Sequence, residues 1–217
     1  MNNKYQSSIL LNVQRLMVLR DLSLLDNEFE TTYDQFTQLA SQIMKTNVSL
    51  VSMVASNYQF FKSYVGLPEP WKSRRQTPLS HSFCQHVVIN NEPLVVTDAR
   101  QHETLKNNQA IPDLSVIGYL GIPLTLSNKT SLGSFCVIDS EPREWSDVDV
   151  KIMTELANIL VLEFEVRAQL KIGVATSEDL KTTQQAIQSL IDDVDIHQPL
   201  EDILKQIKML RQEYNLV

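Results

Sequence analysis

Four consecutive aliphatic residues, Ile159-Leu160-Val161-Leu162, sit in the middle of what every neighbouring signal reads as one long α-helix. Around a helix axis they point in all directions, whereas one core covers only a stripe of a helix surface. A second apolar surface must therefore meet this segment. Its start is well marked. The Ser146 side chain is spaced to accept the amide hydrogen of Asp149, and Trp145 and Val150 occupy the two positions of a hydrophobic staple. The helix should run to about Leu170, before Gly173 breaks it. The other end of the chain poses the same problem. Over Ser8 to Leu25 the apolar residues Ile9, Leu10, Val13, Leu16, Met17, Leu19 and Leu22 cover more than half of a helix surface. Thr31 or Thr32 can cap the helix that follows, with Tyr33, Phe36, Ala40 and Ile43 on one side.

Between these helices the pattern changes to strands: Val48 to Ala55, Tyr58 to Val65, Leu94 to Thr97, Val116 to Leu126 and Ser131 to Asp139. The last two flank Ser127-Asn128-Lys129-Thr130, a compact hairpin turn. Gly66 to Pro78 holds three prolines with Lys72, Arg74 and Arg75, and reads as an exposed loop. A short helix fits between Cys84 and Asn91, with Ser82 and Gln85 at capping-box spacing. Beyond Gly173 two narrow stripes follow, Leu180-Thr183-Ile187-Leu190-Val194 and Leu200-Ile203-Ile207-Leu210-Tyr214. Pro199 suits the first turn of the last helix. Narrow stripes are the mark of a seam between helices.

With 217 residues, of which 43% are hydrophobic, the chain can bury one domain plus an appendage, or two small domains. A net charge of −7 is the wrong sign for a protein held to nucleic acid by phosphate contacts. The segment from Lys171 onward is itself acidic, so it is no basic arm. Two cysteines make no disulfide framework, Met1-Asn-Asn-Lys-Tyr-Gln lacks the apolar core of a signal peptide, and no apolar run can span a bilayer. A cytoplasmic protein, with neither nucleic acid nor membrane as partner, is expected.

The element order, together with a set of local motifs, resembles the GAF family of small-molecule sensor domains. The motifs are Arg15-Leu16 through Leu22-Ser-Leu-Leu-Asp26, Phe36 through Leu39-Ala40, Gln59-Phe60-Phe61-Lys62-Ser63 with Gly66, and Ser82-Phe83-Cys84-Gln85-His86. Leu94-Val-Val-Thr-Asp98-Ala99, Tyr119-Leu-Gly121-Ile-Pro123-Leu124, Leu132-Gly133-Ser-Phe-Cys136-Val-Ile-Asp139 and Pro142-Arg143 complete the set. The resemblance implies an α+β fold. A central antiparallel sheet of five or six strands carries the terminal helices on one face and a ligand pocket on the other. The domain takes residues 1–170, and 171–217 form a helical tail for dimerisation or partner binding.

The special chemistries of the family each demand residues that can be sought in this sequence. Bilin-binding members attach the pigment through a cysteine before the penultimate strand; here Arg100 to Val116 contains His102 and no cysteine. Asn128-Lys129, Phe135 and Asp139 imitate the cyclic-nucleotide signature, but the family's Asn-Lys follows the last strand and this one precedes it. The cysteine arrangement of the free methionine sulfoxide reductases is missing. His197-Gln198-Pro199 resembles a kinase phosphoacceptor box with its proline too close to the histidine. His81, His86 and His102 match no metal-ligand spacing. Asp98, after a strand, reads as an acceptor of loop amide hydrogens.

Cys84, near a helix start where a thiolate is favoured, and Cys136 in mid-strand form either a redox-sensing pair, a ligand contact, or two small buried apolar residues. Tyr119, flanked by Gly118 and Gly121, offers a ring with a polar handle. Phe61, Phe83, Cys84, Tyr119 and Cys136 are the expected ligand-binding residues, with no catalytic residue, no metal and no cofactor. The expected function is a non-catalytic signal-transduction sensor. It would bind an unidentified small molecule and form a homodimer through its terminal helices, with a separate output protein as a further candidate partner. The alternatives are an interaction scaffold with a degenerate pocket and a redox sensor or enzyme using Cys84.

Overall fold

The computed structural model describes residues 8–27 and 30–216; the Met1–Gln6 opening lies outside them. In chain order the elements are α1 (Val13–Asp21), α2 (Thr31–Met44), β1 (Val48–Val54), β2 (Tyr58–Val65), α3 (Trp71–Arg74) and β3 (Gln76–Pro78). A 3-10 turn (Leu79–His81), α4 (Cys84–Asn90), β4 (Leu94–Val96), α5 (Ala110–Leu114), β5 (Gly118–Thr125) and β6 (Ser131–Asp139) follow. The chain ends with α6 (Asp147–Lys171), α7 (Ser177–Asp193) and α8 (Leu200–Glu213).

The strands form one antiparallel sheet in the order β3-β2-β1-β6-β5-β4. Both outer strands are three residues long, and β3 ends in Pro78. Side chains alternate across the sheet, so each central strand serves two cores. Leu120, Ile122, Leu124, Phe135 and Val137 pack with α1, α2 and α6. Tyr119, Cys136 and Ile138, with Leu50, Val54 and Phe61, pack with α4 and the loops on the opposite face.

The helix start at Ser146 forms as its sequence indicates: the hydroxyl accepts from the Asp149 amide at 3.1 Å, and the Asp149 carboxylate accepts from the Ser146 amide at 2.7 Å. Trp145 and Val150 both join the helical-face core. α6 then runs for 25 residues. The second surface it requires comes from its own chain. The tail helices α7 and α8 fold back along α6, burying Ile187, Leu190, Ile203 and Ile207 in the cluster that holds Ile159, Leu160 and Phe164. The excess apolar surface of α6 is therefore covered without a second copy.

Polar ties fix this docking. Glu163, fully buried, accepts from Tyr33 Oη at 2.7 Å, Arg167 Nε at 2.6 Å and, from α7, Gln184 Nε2 at 3.0 Å. Arg211 of α8 reaches Glu155 at 2.8 Å.

Two segments differ from expectation. The continuous helix over Ser8–Leu25 is interrupted at Asn12, whose side chain accepts from the Arg15 amide and starts α1 afresh. Buried Arg15 gathers the carbonyls of Ile9, Leu10 and Val54. The break lets Leu10 enter the pocket-face core while Leu19 enters the other. The Gly66–Pro78 segment is largely exposed, as expected, but it is not all loop. It contains α3 and β3, and Arg75 turns inward to donate to the carbonyls of Phe61, Asn27 and Lys62. Three main-chain acceptors outweigh solvation for a guanidinium with five donors.

Candidate functional site

On the face opposite α6, an apolar hollow lies between the sheet and the α4–α5 layer. Val48, Leu50 and Phe61 line it from β1 and β2, Tyr119 and Ile138 from β5 and β6, and Phe83, Cys84 and Leu114 from the covering layer. Its free volume is about 30 Å³, room for a water-sized occupant. Pockets for drug-sized ligands hold roughly 300–1,000 Å³.

Four of the five residues singled out in the sequence, Phe61, Phe83, Cys84 and Tyr119, meet here. Cys136 does not reach the hollow; it lies behind Cys84, with the two sulfurs 4.0 Å apart. The Phe83 and Tyr119 rings stand 5.3 Å apart at 57°. Tyr119 Oη donates to Cys84 Sγ at 3.4 Å and lies 3.3 Å from Ser134 Oγ. The ring has this position because Gly121 has no side chain. A Cβ there would collide with the phenol.

These contacts divide the thiols. A hydrogen bond from Cys136, followed by those from Tyr119, Ser52 and Ser134, brings the Cys84 thiol down to about 7 against the opposing effect of burial. Burial pushes Cys136 well above the usual thiol range, and it raises the Tyr119 phenol likewise.

The rim holds side chains that the sequence did not single out as a site. His81 Nε2 lies 2.9 Å from Asp113 Oδ2, tying the 3-10 turn to α5, and the Gln109 amide donates to the Ser80 carbonyl at 3.0 Å. Gln59 reaches the hollow but spends its amide on Thr77 Oγ1 at 2.8 Å and its carbonyl on Ser82 Oγ at 2.6 Å. Its two-residue offset from Phe61 on β2 was the signal available. Ser82 also accepts from the Gln85 amide at 3.0 Å, half of the capping box read there. Lys72, Arg74 and Arg75 are absent from the lining, and Arg75 is committed to the interior. Among the described residues no group of three or more His, Cys, Asp or Glu could hold a metal, and no helix is long and apolar enough to cross a membrane. Asp98 accepts from the Arg100 amide at 3.0 Å, the loop-structuring task expected of it.

A six-stranded antiparallel sheet with terminal helices on one face and a small apolar hollow on the other is the arrangement expected from the motifs. The GAF domain family model matches residues 28–164, more than half of the chain. The chain belongs to the GAF domain family. GAF domains act as sensor and regulatory modules.

A cyclic di-GMP phosphodiesterase of Pseudomonas aeruginosa is 28% identical over 142 residues, which cover 64% of this chain and 23% of that protein. The chain thus spans less than a quarter of that relative. Two solved structures share the fold. The blue-light absorbing form of the Thermosynechococcus elongatus PixJ GAF domain superposes with a TM-score of 0.54 at 16% identity, covering 76% of this chain and 96% of that one. The free methionine-R-sulfoxide reductase of Neisseria meningitidis, in complex with its substrate, gives 0.53 at 14% identity, covering 78% and 95%.

Proposed function

We propose that this GAF domain is a non-catalytic sensor: a small molecule binds in the hollow, and its presence is passed through the sheet to α6 and the tail. The observation that carries this reading is the alternation on β5 and β6. Tyr119 lines the hollow and Cys136 packs behind it on the same face, while their neighbours Leu120, Phe135 and Val137 pack against the helical layer. Moving the first set strains the second, because close-packed interiors transmit displacement. With about 30 Å³ free, any larger ligand must lift the α4–α5 cover. The bound form would then be a second arrangement whose population the ligand raises. Native mass spectrometry of protein purified from its source tests this. A retained metabolite is expected, and a chain that carries none from any preparation overturns the reading.

The small free volume favours one alternative, a protein-interaction module whose hollow is filled by its own side chains. A co-purifying protein without a metabolite would select it. Self-association belongs to the same proposal, on altered grounds. Since the tail covers α6, a second copy would dock on the exposed residues of the N-terminal segment, Leu11, Val13 and Met17. Solution mass at micromolar concentration should read a dimer; a monomer there removes this part.

A further inference from the structure

The two cysteines of the chain lie against each other although 52 residues separate them. One opens α4 and the other sits in mid-β6, and both are at most 2% exposed. Packing alone asks only for two small apolar side chains. It does not ask that both sulfurs converge to 4.0 Å, nor that a phenol donate to one of them. Closing the 4.0 Å gap to the roughly 2 Å of a sulfur–sulfur bond calls for rotation of the two side chains with a small shift of the short helix α4.

Access separates the two thiols. The hollow touches Cys84 and stops short of Cys136. At about 30 Å³ it admits a reactant of one or two heavy atoms and excludes a peptide thiol such as glutathione. Cys84 is also the more acidic member of the pair, helped by hydrogen bonds from Cys136 and Tyr119.

From this geometry we infer that Cys84 and Cys136 form a reversible intrachain disulfide when a small peroxide enters the hollow, Cys84 attacking and Cys136 resolving. The Cys84 thiolate attacks one peroxide oxygen and the O–O bond breaks. The departing hydroxide takes a proton to become water, leaving a sulfenic acid on Cys84. Cys136 sulfur then attacks Cys84 sulfur. The new S–S bond displaces the sulfenic hydroxyl, which leaves as a second water with the Cys136 proton. In sum, two thiols and one hydrogen peroxide give a disulfide and two waters. The bond ties α4 to the strand whose other side chains hold α6. It needs no organic ligand in the hollow, so it can hold or fail independently of the metabolite reading.

The test uses the full chain, reduced, freed of reductant and exposed to a small molar excess of hydrogen peroxide, then denatured and alkylated. The expected result is an intact mass lower by two hydrogens, loss of both titratable thiols, one chain on a non-reducing gel, and return of both thiols with dithiothreitol. Cys136→Ser should accumulate a sulfenic acid that a dimedone probe labels. Cys84→Ser should consume peroxide roughly tenfold more slowly or less. Two thiols still titratable after exposure, a disulfide between chains, oxygen additions that dithiothreitol does not reverse, or a Cys84→Ser protein as reactive as the parent would each overturn the inference. If the serine variants do not fold, the mass and thiol count of the parent chain decide alone.

Discussion

Tyr119 reaches its position by a neighbour's lack of a side chain, and Gly121→Ala tests that dependence. The added methyl must displace the phenol from Cys84. An overpacked site of this kind costs about 1–3 kcal/mol, read as a lower urea midpoint together with a changed near-ultraviolet tyrosine signal. Tyr119 and Tyr33 also set an alkaline limit. Burial, the largest cause, raises both phenols, assisted by Glu163 for Tyr33 and by Cys136 and Cys84 for Tyr119. Unfolded tyrosine ionises near 10, so the folded chain retains protons that the unfolded chain releases above that value. Their contribution is complete below about pH 10 and falls as pH rises further. Urea midpoints should hold up to about pH 10 and drop above it, and drop less in Tyr33→Phe. At this scale legibility was uneven. Flanking glycines made Tyr119 readable. Lys62, whose fully buried ammonium meets Asp26 at 2.6 Å and Glu30 at 3.0 Å, and inward-turned Arg75 were not, because their partners are distant in the chain.

Elements with strong local chemistry were readable in full. β2 and β6 carry continuous strand-forming runs and begin and end where expected. α6 has its cap written in Ser146 and Asp149; Ser146→Ala should cost about 1 kcal/mol, seen in thermal or urea unfolding. β3 was hidden because three residues ending in proline resemble a loop, and only pairing with Tyr58, Gln59 and Phe60 makes them a strand. The interruption at Asn12 was equally hidden, since apolar periodicity continues across it and Arg15 enforces it from inside. The seam-like stripes of α7 and α8 were visible, but not their partner, which is α6 of the same chain. Ile207→Ala, which empties a fully buried site between α8 and α6, should cost about 2–5 kcal/mol. Limited proteolysis would then cut faster at the exposed Ile172–Val174 junction; an unchanged cutting rate would mean the tail is held elsewhere.

For the molecule as a whole, the sheet is the partition between the hollow and the tail, and coupling across it has a direct readout. Peroxide treatment should alter amide hydrogen exchange in β5, β6 and α6 as well as in α4, whereas exchange changes confined to α4 would mean the partition does not transmit. Finally, the shortness of the outermost strands limits what this protein can do with its neighbours. A foreign strand laid along either margin would gain main-chain hydrogen bonds over only three residues, and at β3 the terminal proline withholds one donor. Lateral zippering into ribbons is thereby discouraged, and a lasting assembly has to be built through helical surfaces.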